Sequence, residues 1–282
     1  MKKIWICLLT MLLLCSCAHA QEPERVVCLY GSFAEAWLEA GGTLAGVTDD
    51  AVSERGLETD AVVIGSTKAP NLELIISLEP DWVILSADIA AQVSAMEVLE
   101  AAGLSCTAFR VDTVQDYAAM MDAFTARTGR RDVYEEQVLP MLSEIDAICE
   151  RAKAHEAPEV LLLRAFSTGA KAKGADNLAG VMLRDLGCVN LVEKYPSLLE
   201  ELSLESIVTE DPDWIFISVM GGDEEAAMSA LNASLGANPA FQALTAVREG
   251  RMVVLPRELF HYKPNARWSE SYACLYDVLF EN

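Results

Sequence analysis

NLELIISLEPDWVILS, running from Asn71 to Ser86, returns in altered form as SLESIVTEDPDWIFIS from Ser203 to Ser218. Seven of the sixteen aligned positions are identical: Leu72/Leu204, Glu73/Glu205, Ile75/Ile207, Pro80/Pro212, Asp81/Asp213, Trp82/Trp214 and Ser86/Ser218. Each copy reads the same way. Asn71 or Ser203 is a helix N-cap, and the glutamate two residues on sits in the first turn, where a carboxylate favours the helix dipole. Pro-Asp breaks the helix, and a short apolar run then reads as a buried strand. Helix–turn–strand units in this order imply parallel sheets covered by helices.

Outward from the first copy, RVVCL (Arg25–Leu29) is a strand closed by Tyr30-Gly31-Ser32. A helix follows over Phe33–Ala40, stopped at Gly41-Gly42, and then LAGVT and AVVIG, both strand-like. The second half repeats the scheme. EVLLL (Glu159–Leu163) is a strand ending at Arg164-Ala165-Phe166, and Leu178–Leu186 is a helix stopped by Gly187. Between the halves, Arg130 to Glu156 is dense in helix formers and reads as one long connecting helix. Pro140 stands inside it, where a proline costs roughly 3 kcal/mol and should kink or split a helix. The expected organisation is α/β: an N-terminal lobe over residues 25–126, a connecting helix over 127–157 and a similar C-terminal lobe over 158–282. The bland alternative is that helix-Pro-Asp-strand units arise by chance in any α/β chain.

Residues 1–17 read as a signal segment, with Lys2 and Lys3 ahead of the short apolar run Ile4–Leu14, and residues 18–24 as a tether. Leu14-Cys15-Ser16-Cys17 resembles a bacterial lipobox, with Cys17 the residue that would be acylated; the other reading is cleavage after Ala20. A multi-acyl anchor would hold the chain at a membrane surface, and no later apolar run is long enough to span one. The net charge of −22 excludes a general nucleic-acid binder, which needs a basic surface. Cys28, Cys106, Cys149, Cys188 and Cys274 stand far apart in mostly apolar contexts and read as inert thiols. Gly169 to Gly174 has P-loop glycine spacing, but Ala175-Asp176 stands where Lys and Ser/Thr are required. Only His19, His155 and His261 are available, too few for a bare divalent-metal site.

Taken together, RVVCLYGSFAEAWLEAGGTLAGVTDD, the two repeated stretches and the C-terminal AVREGRMVVLPRELFHYKPNARWSESYACLYDVLF resemble, in the right order, class III ABC-transporter substrate-binding proteins, which serve iron–siderophores, haem and cobalamin. The resemblance covers most of the chain beyond the signal segment. It implies two α/β lobes bridged by one rigid helix, with a non-covalently held ligand in the cleft between them. It also implies a monomer that delivers an iron complex, haem or corrinoid to a permease dimer with its ATPase, outside the cytoplasm, with no enzymatic activity. In that family a glutamate on each lobe meets permease arginines; here these are Glu73 and Glu205, and an Arg fork suits such a carboxylate.

Loops at strand ends line clefts, which makes Tyr30, Lys68, Arg164, Phe166, Met220, His261 and Tyr262 the ligand-binding candidates. Tyr30 and Phe166 would offer flat faces to a macrocycle or catechol. Arg164 and Lys68 could meet carboxylates or an anionic siderophore, and His261 or Tyr262 could ligate iron. Against each stands a plain structural role: aromatics after strands often pack in the core, and a lone histidine is usually hydrogen-bonded structure. Two other functions compete. One is an anchored enzyme using Asp49, Asp50 and Asp88 in acid–base roles; the other is a surface haem or corrinoid chaperone without a permease.

Overall fold

The computed structural model describes residues 24–281 apart from residue 222; the signal segment, Cys17 and the tether before residue 24 lie outside the described residues. Seven strands belong to the N-terminal half: β1 (Val26–Cys28), β2 (Leu44–Val47), β3 (Val62–Val63), β4 (Gly65–Ser66), β5 (Ala69–Pro70), β6 (Trp82–Ser86) and β7 (Cys106–Phe109). Five of them form a parallel sheet of order β3-β2-β1-β6-β7, while β4 and β5 make a small antiparallel hairpin. The C-terminal half holds β8 (Glu159–Phe166), β9 (Gly169–Lys173), β10 (Val189–Asn190), β11 (Trp214–Val219) and β12 (Met252–Val254). Their order is β10-β8-β11-β12, all parallel, with β9 folded back antiparallel on β8. This is the expected two-sheet α/β architecture.

The apolar side chains sort into three layers because strand residues alternate between faces. In β1, Val26 and Cys28 enter a central core, and Val27 and Leu29 enter an outer one with Ile75, Val83 and Leu85. In the second sheet Val160, Leu162 and Phe216 join the same central core, while Leu161, Leu163, Ile215 and Ile217 face the other outer layer with Ile207. The central core is therefore shared by both halves. The C-terminal helix Trp268–Phe280 bridges them, its buried Trp268 lying 6.4 Å from Tyr117 of the N-terminal half.

The repeat has one structural meaning in both halves. Asn71 and Ser203 cap their helices, Leu72–Ser77 and Leu204–Glu210, by accepting from the backbone N–H of Leu74 (3.0 Å) and Ser206 (3.2 Å). Glu79 and Asp211, which end the helices, both take left-handed backbone, φ 46° and 45°. The following aspartate ties the turn to the neighbouring strand: the Asp81 carboxylate accepts from Arg25 N–H and that of Asp213 from Glu159 N–H, each at 2.8 Å. Each repeat tryptophan carries a guanidinium over its ring, Arg127 at 4.3 Å from Trp82 and Arg251 at 5.9 Å from Trp214.

Two boundaries differ from the sequence reading. Strand β8 continues through Arg164 to Phe166, so both residues lie in the sheet rather than in a loop after it. The reason is β9, whose Gly-Ala-Lys-Ala-Lys sequence carries little strand signal of its own; pairing Arg164 with Lys171 and Phe166 with Gly169 extends the ladder. The connecting helical run is Arg131–Val133, Tyr134–Val138 and Leu139–Ala152; Arg127 and Thr128 instead close the preceding helix, Val114–Thr128, which ends on left-handed Gly129. Pro140 does not break this run. The middle section is a widened π turn in which Leu139 N–H donates five residues back to Tyr134. It ends just before the proline, whose missing N–H would interrupt an α ladder in any case.

Candidate functional site

In a parallel α/β sheet the loops after the strands gather along one edge. At that edge of the first sheet a buried glutamine, Gln92, is the organising residue. Its amide donates to Leu29 O (2.6 Å) and Thr67 O (3.1 Å) and accepts from Ser86 N–H (2.7 Å). It thereby ties together the chain just before Tyr30, the turn just before Lys68 and the end of β6. Lys68 itself is exposed at the hairpin tip. Tyr30 stands edge-on to Phe33 at 5.0 Å, and burial together with the negative Asp50 pushes its phenol pKa up.

Across from it, alternation along β8 and β11 puts Arg164 and Ser218, paired in register, on the face that holds Leu162 and Phe216. Arg164 is half-buried, and burial lowers its pKa; its guanidinium has no hydrogen-bond or ion-pair partner among the described residues. Lys171 is its cross-strand neighbour and is exposed. His261, partly buried, lies in the field of Arg257 and Arg164, and burial followed by those charges holds its imidazole below the usual pKa, so the ring is neutral near pH 7. Phe166 and Lys171 line a recess of about 330 Å³ with Leu202 and Leu235. Met220, 37 % exposed, closes against the end of β8 through its N–H to Ala165 O at 2.9 Å.

The segment after β12 joins the two groups. Arg257 bonds Gly221 O and lies over the Tyr262 ring at 5.9 Å, while Arg55 from the first half lies over the same ring at 5.5 Å. Lys263 reaches Val111 O, just beyond β7, and Asp112. Buried Asn265 donates to Ser32 O (2.8 Å) and to the Glu35 carboxylate (2.6 Å). Thus the structure places His261 near Arg164 and 4.6 Å from the Tyr262 ring, links the Tyr30 and Lys68 turns through Gln92, and leaves Phe166 and Met220 at the outer end of β8 and β11. Gln92, Arg55, Arg257, Lys171 and Asn265 escaped the sequence reading. Only Arg257, directly behind the strand ending at Val254, carried a local signal.

Of the three acids considered for catalysis, Asp49 is exposed, while Asp50 and Asp88 have structural partners. Asp50 accepts from Gly31 N–H at 2.8 Å, and any Cβ at Gly31 would meet that carboxylate at 2.7 Å. Asp88 pairs with Arg110 at 2.6 Å. Among the described residues no group of three or more His, Cys, Asp or Glu could hold a metal ion, and no helix is long and apolar enough to cross a membrane. The five cysteines among the described residues are free; burial pushes the Cys28 and Cys188 thiols up to about 12.

Glu73 and Glu205 lie apart from these groups, each second in its helix, exposed and without a partner among the described residues. A helix leading into a parallel strand runs antiparallel to it, which puts its N-terminus at the carboxyl edge of the sheet. Both glutamates are therefore on the ligand-loop side of the molecule.

Known proteins share this plan. The Fe(3+)-citrate-binding protein YfmC of Bacillus subtilis is 25% identical over 84% of this chain and 74% of its own. A cobalamin-binding protein of Halobacterium salinarum is 28% identical over 74% of this chain, which spans 58% of that relative's length. Among solved structures, S. aureus IsdE complexed with heme superposes with a TM-score of 0.75 at 16% identity, covering 91% of this chain and 99% of that one. The periplasmic heme-binding protein RhuT from Roseiflexus gives 0.73 at 19%, over 92% and 98%. These two-lobed structures share the fold. The periplasmic binding protein family matches residues 26–259, most of the sequence, and the chain belongs to that family.

Proposed function

We propose that this chain captures an iron complex or corrinoid outside the cytoplasm, tethered through Cys17, and delivers it to an ABC importer by docking Glu73 and Glu205 on the permease. Within that class the favoured ligand is an anionic ferric chelate. Arg164 carries this reading: a half-buried cation held in no ion pair among the described residues, with only the more distant Asp176 charge opposing its burial, is costly unless a ligand supplies the charge. Lys171 alongside it and neutral His261 nearby add donors without adding negative charge. The relatives' ligands, ferric citrate and cobalamin, bracket the same choice.

The test is titration of the purified protein with ferric citrate, haem and cyanocobalamin, followed by tryptophan fluorescence, after mass spectrometry of whatever co-purifies. Ferric citrate should bind, and Arg164→Gln should weaken it by about tenfold or more, since a charge-assisted contact is worth roughly 1.5–3 kcal/mol. Tight binding of haem or cobalamin that is indifferent to Arg164→Gln would reject the anionic-chelate reading.

A further inference from the structure

The two short helices that carry Glu73 and Glu205 match in more than their acids. Counting on from each glutamate, the next residue is half-buried (Leu74, Ser206), the next fully buried (Ile75, Ile207), and the third an exposed aliphatic. That third residue is Ile76 in one helix and Val208 in the other, and each is 37 % exposed. Residues three apart share a helix face, so each unpaired carboxylate has an uncovered apolar side chain one turn away. The hydroxyls that follow, Ser77 and Thr209, turn back onto their own helices, to Leu74 O and Glu205 O, both at 2.8 Å. They do not compete for a partner. An exposed aliphatic needs no explanation by itself. The same one at the same place beside the same unpaired acid, twice, does.

We infer that Ile76 and Val208 are apolar knobs of the docking surface, each seating in a socket beside a basic side chain on a membrane permease with two equivalent faces. This rests on the reading that Glu73 and Glu205 dock the chain on an importer, and adds that the contact is only half electrostatic. The occupant follows from charge and repetition: two unpaired carboxylates call for two cations, and two like patches fit a two-fold partner. Salt would then weaken the complex without releasing it, because screening acts on the acids and not on the knobs.

The experiment uses the full chain and the ABC importer that the proposed function assigns to it, held in lipid nanodiscs, with affinity measured at low and high sodium chloride. Ile76→Thr with Val208→Thr keeps side-chain shape close to valine and leaves buried Ile75 and Ile207 alone; an unchanged melting temperature confirms the fold. These changes should weaken binding by about tenfold at both salt concentrations, as expected for two aliphatic groups that lose burial. Glu73→Ala with Glu205→Ala should weaken it at low salt and flatten the salt dependence. If the glutamate changes weaken binding and the threonine changes do not, the knobs are overturned while docking stands. If the glutamate changes leave affinity as it was, the docking reading itself fails, and the knobs with it.

Discussion

Asp81 and Asp213, 132 positions apart, hold their neighbouring strands in the same way: each carboxylate accepts a backbone N–H and each backbone N–H donates to the same residue's carbonyl, all at 2.8 Å. Arg25 and Glu159 are those residues, at the head of β1 and β8. The pair explains why Pro-Asp-Trp is written twice: it sets where a central strand starts beside its neighbour. Asp81→Ala and Asp213→Ala should each cost about 1 kcal/mol, the usual worth of such a bond at an exposed site. Urea unfolding would check this, and the two losses should add because the sites share no partner.

Gln92 should matter more. Its amide makes three hydrogen bonds at 0 % exposure, and Gln92→Leu would orphan Leu29 O, Thr67 O and Ser86 N–H together. A loss of roughly 2–4 kcal/mol is expected from such unsatisfied groups. Faster amide exchange should appear in the turns around Tyr30 and Lys68 before it appears in the central core.

Glu39 gives a pH dependence. Burial, then the nearby Glu35 carboxylate, raises its pKa from 4.5 to about 7, against the opposing effects of the Tyr117 hydroxyl and the Arg55 charge. The folded state therefore holds a proton that the unfolded chain has lost, and the stability this proton brings declines as pH rises from 4.5 to about 7. Glu39→Gln should remove that decline and gain on the order of 1–2 kcal/mol at pH 8. Melting temperatures of both proteins from pH 5 to 8, which converge at the acid end, would verify it.

Lobe motion should be small. The shared central core, the Trp268–Phe280 helix and the Asn265 and Lys263 contacts all cross between the halves. Hinge closure needs a few residues free to absorb large backbone changes, and these contacts leave little freedom. X-ray scattering with and without ferric citrate should show nearly unchanged radii of gyration; a marked contraction would point to a hinge.

Membrane attachment is tested at Cys17. Cys17→Ala should move the protein from the membrane fraction to the soluble extracytoplasmic fraction. A wild-type chain found soluble and beginning at Gln21 would assign cleavage after Ala20 instead.

Much of the fold was legible because periodicity and caps are local. Asn71, Ser203, Gly41 and Gly187 end or begin elements through their own backbone chemistry, and the repeat placed both sheets. The β9 strand was not legible, since its five residues alternate only alanine with lysine and glycine and owe their pairing to β8. The site divided the same way. A residue closely behind a strand, such as Tyr30 after β1, announces itself by position, whereas His261 caps the helix Arg257–Phe260. Gln92 does not, because its partners lie 63, 25 and 6 residues away and nothing near it in sequence calls for a buried amide.

The π turn before Pro140 also settles a matter of phase. Buried positions along the connecting run fall at Val133, Val138, Met141, Ile145, Ile148 and Ala152. Every step is three or four residues except the first, which is five. At ~100° per residue an α-helix would turn that step ~140° out of line, and Val133 would face water. Widening the turn absorbs the surplus residue and brings Val133 back over the core. The segment therefore behaves as an α-helix carrying a one-residue insertion. Shortening the chain by Glu135 or Glu136, both exposed, would restore an unbroken heptad-like stripe from Val133 onward and keep every core contact in place.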